Sequence, residues 1–508
     1  MAEIVDQTAQ TSHFAVDRDV CEKRRSWLPL AVLVFLTIAV RLPGVSRPLV
    51  GQFATKNAVY AMIARNWASG RSPFWLPMID CQAGGQRGLH LLEVPVAAYL
   101  AGAGWAVFGG SLDVWGRATS IAFSAGGVAL LFLLVRRWHG DRAAAATALV
   151  LALSPVSVIF GQSFMLESSA IFFILLALAG VERWLVTAGW HYWLLATLSL
   201  SLMAMTKVFL LVMLLPLASL VVRKLASVDG KRRRRWLAGA LAMALLGAAP
   251  AAVWCGVVAS ISARDNPLST QVYYSFCRST SVHSFPSPLL VAPEFYLRLT
   301  KGLVGAGLTP IGFGLAAVGL FHKKARRHSA WLLASAILVV LLPGKFFELR
   351  YYLLLLVPAL AVLAGLGWEA VSTRLPAPRL CGVLSLATGL CCSLWFVAGP
   401  AWLTPREDCS VTTAAAAFRR LPDDGAPVAT LHGAAPDLLY YCDRPGWALS
   451  VNDSHLDATL ERCRRQGARW LVVADLASFD RNPAEPVIRR LPLVKAGQDY
   501  RVYRLSAE

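Results

Sequence analysis

Lys207 stands between two apolar stretches, Trp193–Met205 and Val208–Val222, neither of which holds another charge. A charge is costly inside hydrocarbon, so this pattern is consistent only if Lys207 lies at a membrane face. Other ionisable residues occupy similar junctions. Glu93 stands two positions before Pro95, Glu167 precedes Ser168-Ser169 and an apolar run, and Arg350 precedes Tyr351-Tyr352. Lys56, Arg65, Asp80, His90 and Arg117 surround them in the first third of the chain. A carboxylate can take a proton from an attacking group, and a buried lysine or arginine can hold a phosphate or a developing negative charge. Gathered at one membrane face, these residue types suit an anionic lipid headgroup and an acid/base step.

Each residue also has a structural reading. Lys207 can snorkel to the interface, and Glu167 can sit as a carboxylate at a helix N-terminus. Arg350 with its two tyrosines can anchor an interface, Glu93 can open a helix, and Arg117 can fix the start of a span. His90 alone is more often structural than a ligand. No histidine pair has metal-ligand spacing, so no protein-only metal cage is expected, although a divalent ion could accompany a bound phosphate.

The elements that position these residues follow from composition. Of 508 residues 56% are hydrophobic and 16% charged, with a mean hydropathy of +0.54. That is the profile of a polytopic α-helical membrane protein. A net charge of +19 would suggest nucleic acid in a soluble protein, but here it is concentrated at Lys23-Arg24-Arg25, Arg136-Arg137, Lys231–Arg235 and Lys323–Arg327. Short basic clusters between apolar runs mark cytoplasmic loops, and no nucleic-acid partner is expected. The ten cysteines form no CxxC pair. A disulfide among Cys409, Cys442 and Cys463 is not deducible from sequence.

With the basic clusters inside, residues 1–26 form a cytoplasmic tail and 27–403 a transmembrane domain. No cleavable signal is evident, so 27–43 reads as a retained first span. The remaining spans fall at 117–135, 143–160, 168–186, 190–205, 208–222, 236–258, 301–321, 329–343, 351–369 and 380–399. That gives about 11 transmembrane helices, N-terminus inside and C-terminus outside. A first outer loop covers about 44–115, within which Leu91–Phe108 reads as interfacial or re-entrant. The loop after the seventh span adds Arg264, Asp265, Tyr273, Tyr274, Arg278 and His283 to the outer face.

From about residue 404 to 508 the apolar stretches shorten to strand length, at Pro427–Leu431, Trp447–Val451, Trp470–Ala474 and Tyr500–Tyr503. Helical patterns separate them at Val411–Leu421, Ala435–Cys442 and Leu456–Gln466, which predicts a small extracytoplasmic α/β soluble domain. It has no glycine-rich nucleotide motif, so a structural or acceptor-binding role is expected.

Several short elements resemble the C-type fold membrane glycosyltransferases that use polyprenyl-phosphate sugars, in the protein O-mannosyltransferase and aminoarabinose transferase-like superfamily. They are Arg41-Leu42-Pro43, the helical stretch Lys56–Asn66, Glu93-Val94-Pro95 with Tyr99, Phe108-Gly109, Arg117, Met165-Leu166-Glu167, Thr206-Lys207 and Arg350-Tyr351-Tyr352. The resemblance covers roughly residues 27–370. It matches Glu167 to the family's second-loop acid and Lys207 to the lysine of its sixth span. It implies catalytic roles for Glu93, Glu167 and Asp80, and donor-phosphate binding by Lys207, Arg350 and Tyr351. Lys56, Arg65, Arg117 and His90 would make other substrate contacts.

The implied enzyme is a hexosyl- or pentosyltransferase of the cell (inner) membrane, multi-pass, with its site facing the periplasm or exterior. Its acceptor would be a lipid, glycan or protein, and its resident metal none. This chain departs from the pattern in two places. The family's acid at the start of the first-loop helix is missing from residues 51–58, and its lysine ahead of the proline is missing because Val94 stands between Glu93 and Pro95. Two other classes fit the same charge pattern: a transporter or flippase of a polyprenyl-linked substrate, and a glycosyltransferase-like scaffold without activity.

Overall fold

In hydrocarbon the backbone has no partner but itself, so apolar runs fold as helices. The computed structural model describes residues 27–83, 86–263, 287–374, 377–422, 425–433, 435–450, 453–476 and 485–505. The expectations placed on Lys23-Arg24-Arg25 and on Arg264, Asp265, Tyr273, Tyr274, Arg278 and His283 lie outside those residues. Helix α1 covers Trp27–Gly44 and α2 covers Ala54–Ala68. A hairpin of β1 (Met78–Ala83) and β2 (Gln86–Leu89) follows. Then come α3 (Val96–Phe108), α4 (Leu112–His139), α5 (Asp141–Leu153), α6 (Pro155–Gln162), α7 (Glu167–Thr187) and α8 (Trp190–Thr206). A 3-10 turn leads to α9 (Leu214–Leu225) and α10 (Gly230–Ala263). The remaining helices before the C-terminal part are α11 (Pro293–Gly302), α12 (Thr309–Leu320), α13 (Ser329–Leu341), α14 (Pro343–Glu348), α15 (Val357–Ser372) and α16 (Pro378–Val397).

Among the described residues five helices are long and apolar enough to cross a membrane, or up to seven if each of two bent pairs is one span. The hydropathy reading gives about eleven; several of its runs are instead shorter or broken helices. The runs 143–160 and 301–321 both bend. Pro155 has no N–H to continue α5, and α6 leaves it at 59°. The segment through α11 turns by 111° into α12 at Leu308 and Thr309. Ser154 Oγ donates to the Gly307 carbonyl at 2.5 Å and joins the two breaks. Arg41, fully buried, donates to the Ala152 carbonyl at 3.1 Å and to Ser157 Oγ at 2.9 Å, supplying a partner to a carbonyl at the end of α5.

Helices α12 and α15 cross on glycines. A Cβ on Gly319 would lie 1.8 Å from the Leu363 carbonyl oxygen, and one on Gly367 1.9 Å from that of Leu315. Only a missing side chain permits this approach, the usual means of packing helices where no hydrophobic force acts between them.

The C-terminal part is built on α17 (Arg406–Phe418), β3 (Val428–Leu431), α18 (Asp437–Cys442), β4 (Gly446–Leu449), α19 (Leu456–Arg465), β5 (Trp470–Ala474), α20 (Glu485–Ile488), β6 (Leu493–Ala496) and β7 (Tyr500–Arg504). Strands β4, β3 and β5 are parallel neighbours, with β7 and β6 antiparallel beyond β5. The sheet does not stop there. The first-loop hairpin extends its other edge through the pairing of Cys81 with Gly446, giving the order β2-β1-β4-β3-β5-β7-β6. The hairpin is not visible in the hydrophobic periodicity, since Met78–Ala83 shows no clean alternation.

Candidate active site

Helix α2 begins at a strained turn. Phe53 caps it with φ of 66°, a conformation that a bulky side chain rarely holds, and its ring packs edge-on against Phe160 and Tyr351. One helical turn apart on α2, Lys56 and Tyr60 share a face and meet the loop before α3. Tyr60 donates its hydroxyl proton to Glu93 Oε1. Lys56 Nζ and His90 Nε2 each lie 3.9 Å from the same oxygen. The next residue ties this loop to the lysine's helix, because the Val94 amide donates to the Met205 carbonyl at 3.0 Å.

Helix α8 ends at Thr206, and Lys207 takes an extended conformation with φ of −156° that turns its side chain inward. Its ammonium lies 3.2 Å from Oε1 of Glu167, the first residue of α7. Both residues are buried, with side-chain exposures of 3% and 1%. Neither Glu167 oxygen has a hydrogen-bond partner among the described residues. The two ammonium groups rest on adjacent rings, Lys56 at 4.9 Å from the centroid of Tyr351 and Lys207 at 5.6 Å from that of Tyr352. Such contacts keep a cation in a dry site at low cost.

Two carboxylates and two lysines thus alternate in one buried network. Burial pushes the Glu93 carboxyl up, but the positive charges of Lys207 and Lys56, with His90 nearby, reverse this and hold it well below the usual carboxylate range. Glu93 is therefore ionised, the form a general base must start from.

The other expected residues go elsewhere. Asp80 is buried and bonded to Arg65 at 2.6 Å and to Asn66 Nδ2 at 3.1 Å. Arg65 also pairs with Asp443 at 2.9 Å, donates to the Tyr440 carbonyl and stacks over the Tyr440 ring. Together they clamp the first loop to the C-terminal part. Arg117 donates to the backbone carbonyls of Arg47, Pro48 and Gln162, which makes it an anchor of the loop. Arg350 is exposed beside Tyr351, with no ion pair among the described residues. The sequence reading did not single out Tyr60 as a site residue. Its signal was the four-residue spacing from Lys56 on a helical stretch.

Among the described residues no group of three His, Cys, Asp or Glu side chains is placed to hold a metal ion.

Residues 93–254 match the family model described as dolichyl-phosphate-mannose-protein mannosyltransferase. ArnT from Cupriavidus metallidurans in the apo state matches in structure with a TM-score of 0.62 at 16% identity, over 96% of this chain and 98% of that one. The same protein bound to undecaprenyl phosphate gives 0.58 at 17% identity, over 94% and 98%. The oligosaccharyltransferase AglB from Archaeoglobus fulgidus, in complex with an inhibitory peptide and a dolichol-phosphate, gives 0.58 at 11% identity, over 90% and 70%. No curated protein matches the sequence.

The fold is that of the C-type membrane glycosyltransferases.

The two departures from the pattern of that superfamily now meet in space. Residues 51–58 hold Lys56 and no acid, and the proline element carries Glu93 and no lysine. In this chain those segments face each other as the 3.9 Å pair Lys56–Glu93.

Proposed function

We propose that the chain transfers a sugar from a polyprenyl-phosphate donor to a lipid, glycan or protein acceptor, with inversion at the anomeric carbon. The observation that carries this reading is the buried network in which Glu93 and Glu167 alternate with Lys56 and Lys207. The bond from the anomeric carbon to the phosphate oxygen breaks, and its electron pair stays on the lipid phosphate. Lys207, with Lys56 beside it, stabilises that charge as a preorganised cation. The acceptor's hydroxyl or amine forms the new bond to the anomeric carbon, and its proton passes to Glu93. Tyr60 and His90 orient the Glu93 carboxylate, and Glu167 fixes Lys207.

Tyr351 carries Lys56, and Arg350 is the remaining candidate for a phosphate contact. No step needs a divalent ion, and one arriving with the donor phosphate is compatible with this chemistry. The basic clusters between apolar runs support a site on the non-cytoplasmic side of the cell (inner) membrane. The C-terminal sheet, joined to the first loop, supports a role in holding or choosing the acceptor.

The test uses the full chain in lipid nanodiscs with radiolabelled hexosyl and pentosyl polyprenyl-phosphates. Release of polyprenyl phosphate with label on an acceptor supports the reading. Movement of intact donor across vesicles without bond breaking supports a transporter. Donor binding with neither outcome supports an inactive scaffold.

A further inference from the structure

Away from this network, α1, α5, α12 and α16 line a half-open groove of about 450 Å³. Its walls are almost wholly apolar, with Val32 and Leu36 on α1, Leu149 on α5 and Leu315 on α12. Gly389 on α16 borders open space, since a Cβ there would meet nothing within 4 Å. The inner end of the groove lies at Ser154 and Thr309, where both bent helices break. Its mouth is Arg142, the second residue of α5.

The dimensions fit one lipid leaflet. From residue 142 to 154 a helix rises about 18 Å at about 1.5 Å per residue. Half of a hydrocarbon core of about 30 Å is about 15 Å. The mouth also has an unmet charge. Nearby Arg136 and Arg137 pair with Asp141 at 2.7 Å and Glu182 at 2.9 Å. Arg142 is exposed and makes no ion pair or hydrogen bond among the described residues.

This mouth is far from the reaction site. Arg117, near the start of α4, is tied to the first loop, whereas α4 ends at His139 beside the start of α5. An α-helix of 28 residues such as α4 is about 42 Å long.

We propose that this groove binds an anionic glycerophospholipid of the leaflet opposite the reaction site, with one acyl chain along α5 and the phosphate paired with Arg142. The ligand is a bilayer lipid and not the sugar donor, because the charged end of the groove lies a helix length from Lys207. Bound there, the chain supports the joint of the two helix breaks, from which α6 leads to Phe160 and its contact with Tyr351.

The experiment uses the delipidated full chain returned to nanodiscs of phosphatidylcholine, alone or mixed with phosphatidylglycerol. Lipid retained after detergent extraction is counted by native mass spectrometry. Wild type should retain phosphatidylglycerol in preference to phosphatidylcholine. Arg142→Gln, an exposed change that leaves the packing intact, should weaken phosphatidylglycerol retention about tenfold, the loss of one charge-assisted contact. Gly389→Leu, which fills the groove, should lower retention of both lipids. Equal phosphatidylglycerol retention by wild type and Arg142→Gln overturns the proposal. So does displacement of phosphatidylglycerol by polyprenyl phosphate, which would give the groove to the donor's lipid.

Discussion

Helix α2 carries two charged clusters that differ in one respect. At its start Lys56 meets Glu93, and through that network Glu93 and Lys207 reach Glu167, whose oxygens make no hydrogen bond among the described residues. At its end Arg65 meets Asp80, where Asn66 satisfies the second carboxylate oxygen and Asp443 and Tyr440 engage the guanidinium. Both clusters pair cations with carboxylates, and Glu93 and Asp80 are both buried. In the second cluster both Asp80 oxygens have donors, and the cluster holds two parts of the chain together. The first keeps carboxylate capacity unused, at a real desolvation cost, which is how a site differs from a brace.

Substitutions can break this distinction. The largest effect is expected from Glu93→Gln, which keeps the shape and the Tyr60 contact but cannot take a proton. Transfer should fall by about 10²–10⁴, the usual worth of a general base, with donor binding preserved. Lys207→Ala should lower the transfer rate by about 10²–10³ as a lost charge stabiliser. It also strands Glu167 as a buried carboxylate, so the double variant with Glu167→Gln should recover thermal stability without recovering activity.

Tyr60→Phe should have a smaller effect, about tenfold on turnover at constant donor KM, because Glu93 stays charged but loses its orientation. Asp80→Asn should move activity least. Breaking its pair should destabilise the protein by about 3–5 kcal/mol, seen as a lower Tm, while the folded fraction turns over at the wild-type rate. Activity lost in Asp80→Asn at full stability would erase the contrast between site and brace.

The pH dependence sharpens the same contrast. Glu93 is held below its ordinary value near 4.5, so its charged form stabilises the fold. That contribution is complete above the unfolded value and is lost as pH falls through the lowered folded one. Transfer by wild type should therefore show no acidic loss from Glu93 between neutral pH and about 4.5. Lys56→Met should move the acidic limb of kcat/KM upward, read from initial rates across that range.

The sequence revealed Lys207 because a charge between two apolar runs has only one affordable position, and topology then placed Glu93 and Glu167 near it. It did not separate Asp80 from Glu93. Both are carboxylates of one loop, and their different fates depend on Arg65, Asp443 and Tyr440, contacts that join residues some 375 positions apart. The bends in α5–α6 and before α12 were hidden for a similar reason. Hydropathy counts apolar residues and does not record which carbonyl a distant arginine or serine satisfies. The helices and strands near the C-terminus left a clearer trace in local periodicity, but the edge hairpin from the first loop depends on a non-local pairing of Cys81 with Gly446. The pair Lys56–Glu93 joins two segments 37 positions apart, a contact that local sequence does not show.

The most direct test measures single-turnover transfer from a radiolabelled polyprenyl-phosphate sugar by wild type, Glu93→Gln and Asp80→Asn, each normalised to folded protein in nanodiscs. The account predicts that Glu93→Gln binds donor and fails to transfer, while Asp80→Asn transfers at the wild-type rate. Full transfer by Glu93→Gln, or its loss only in Asp80→Asn, would contradict it.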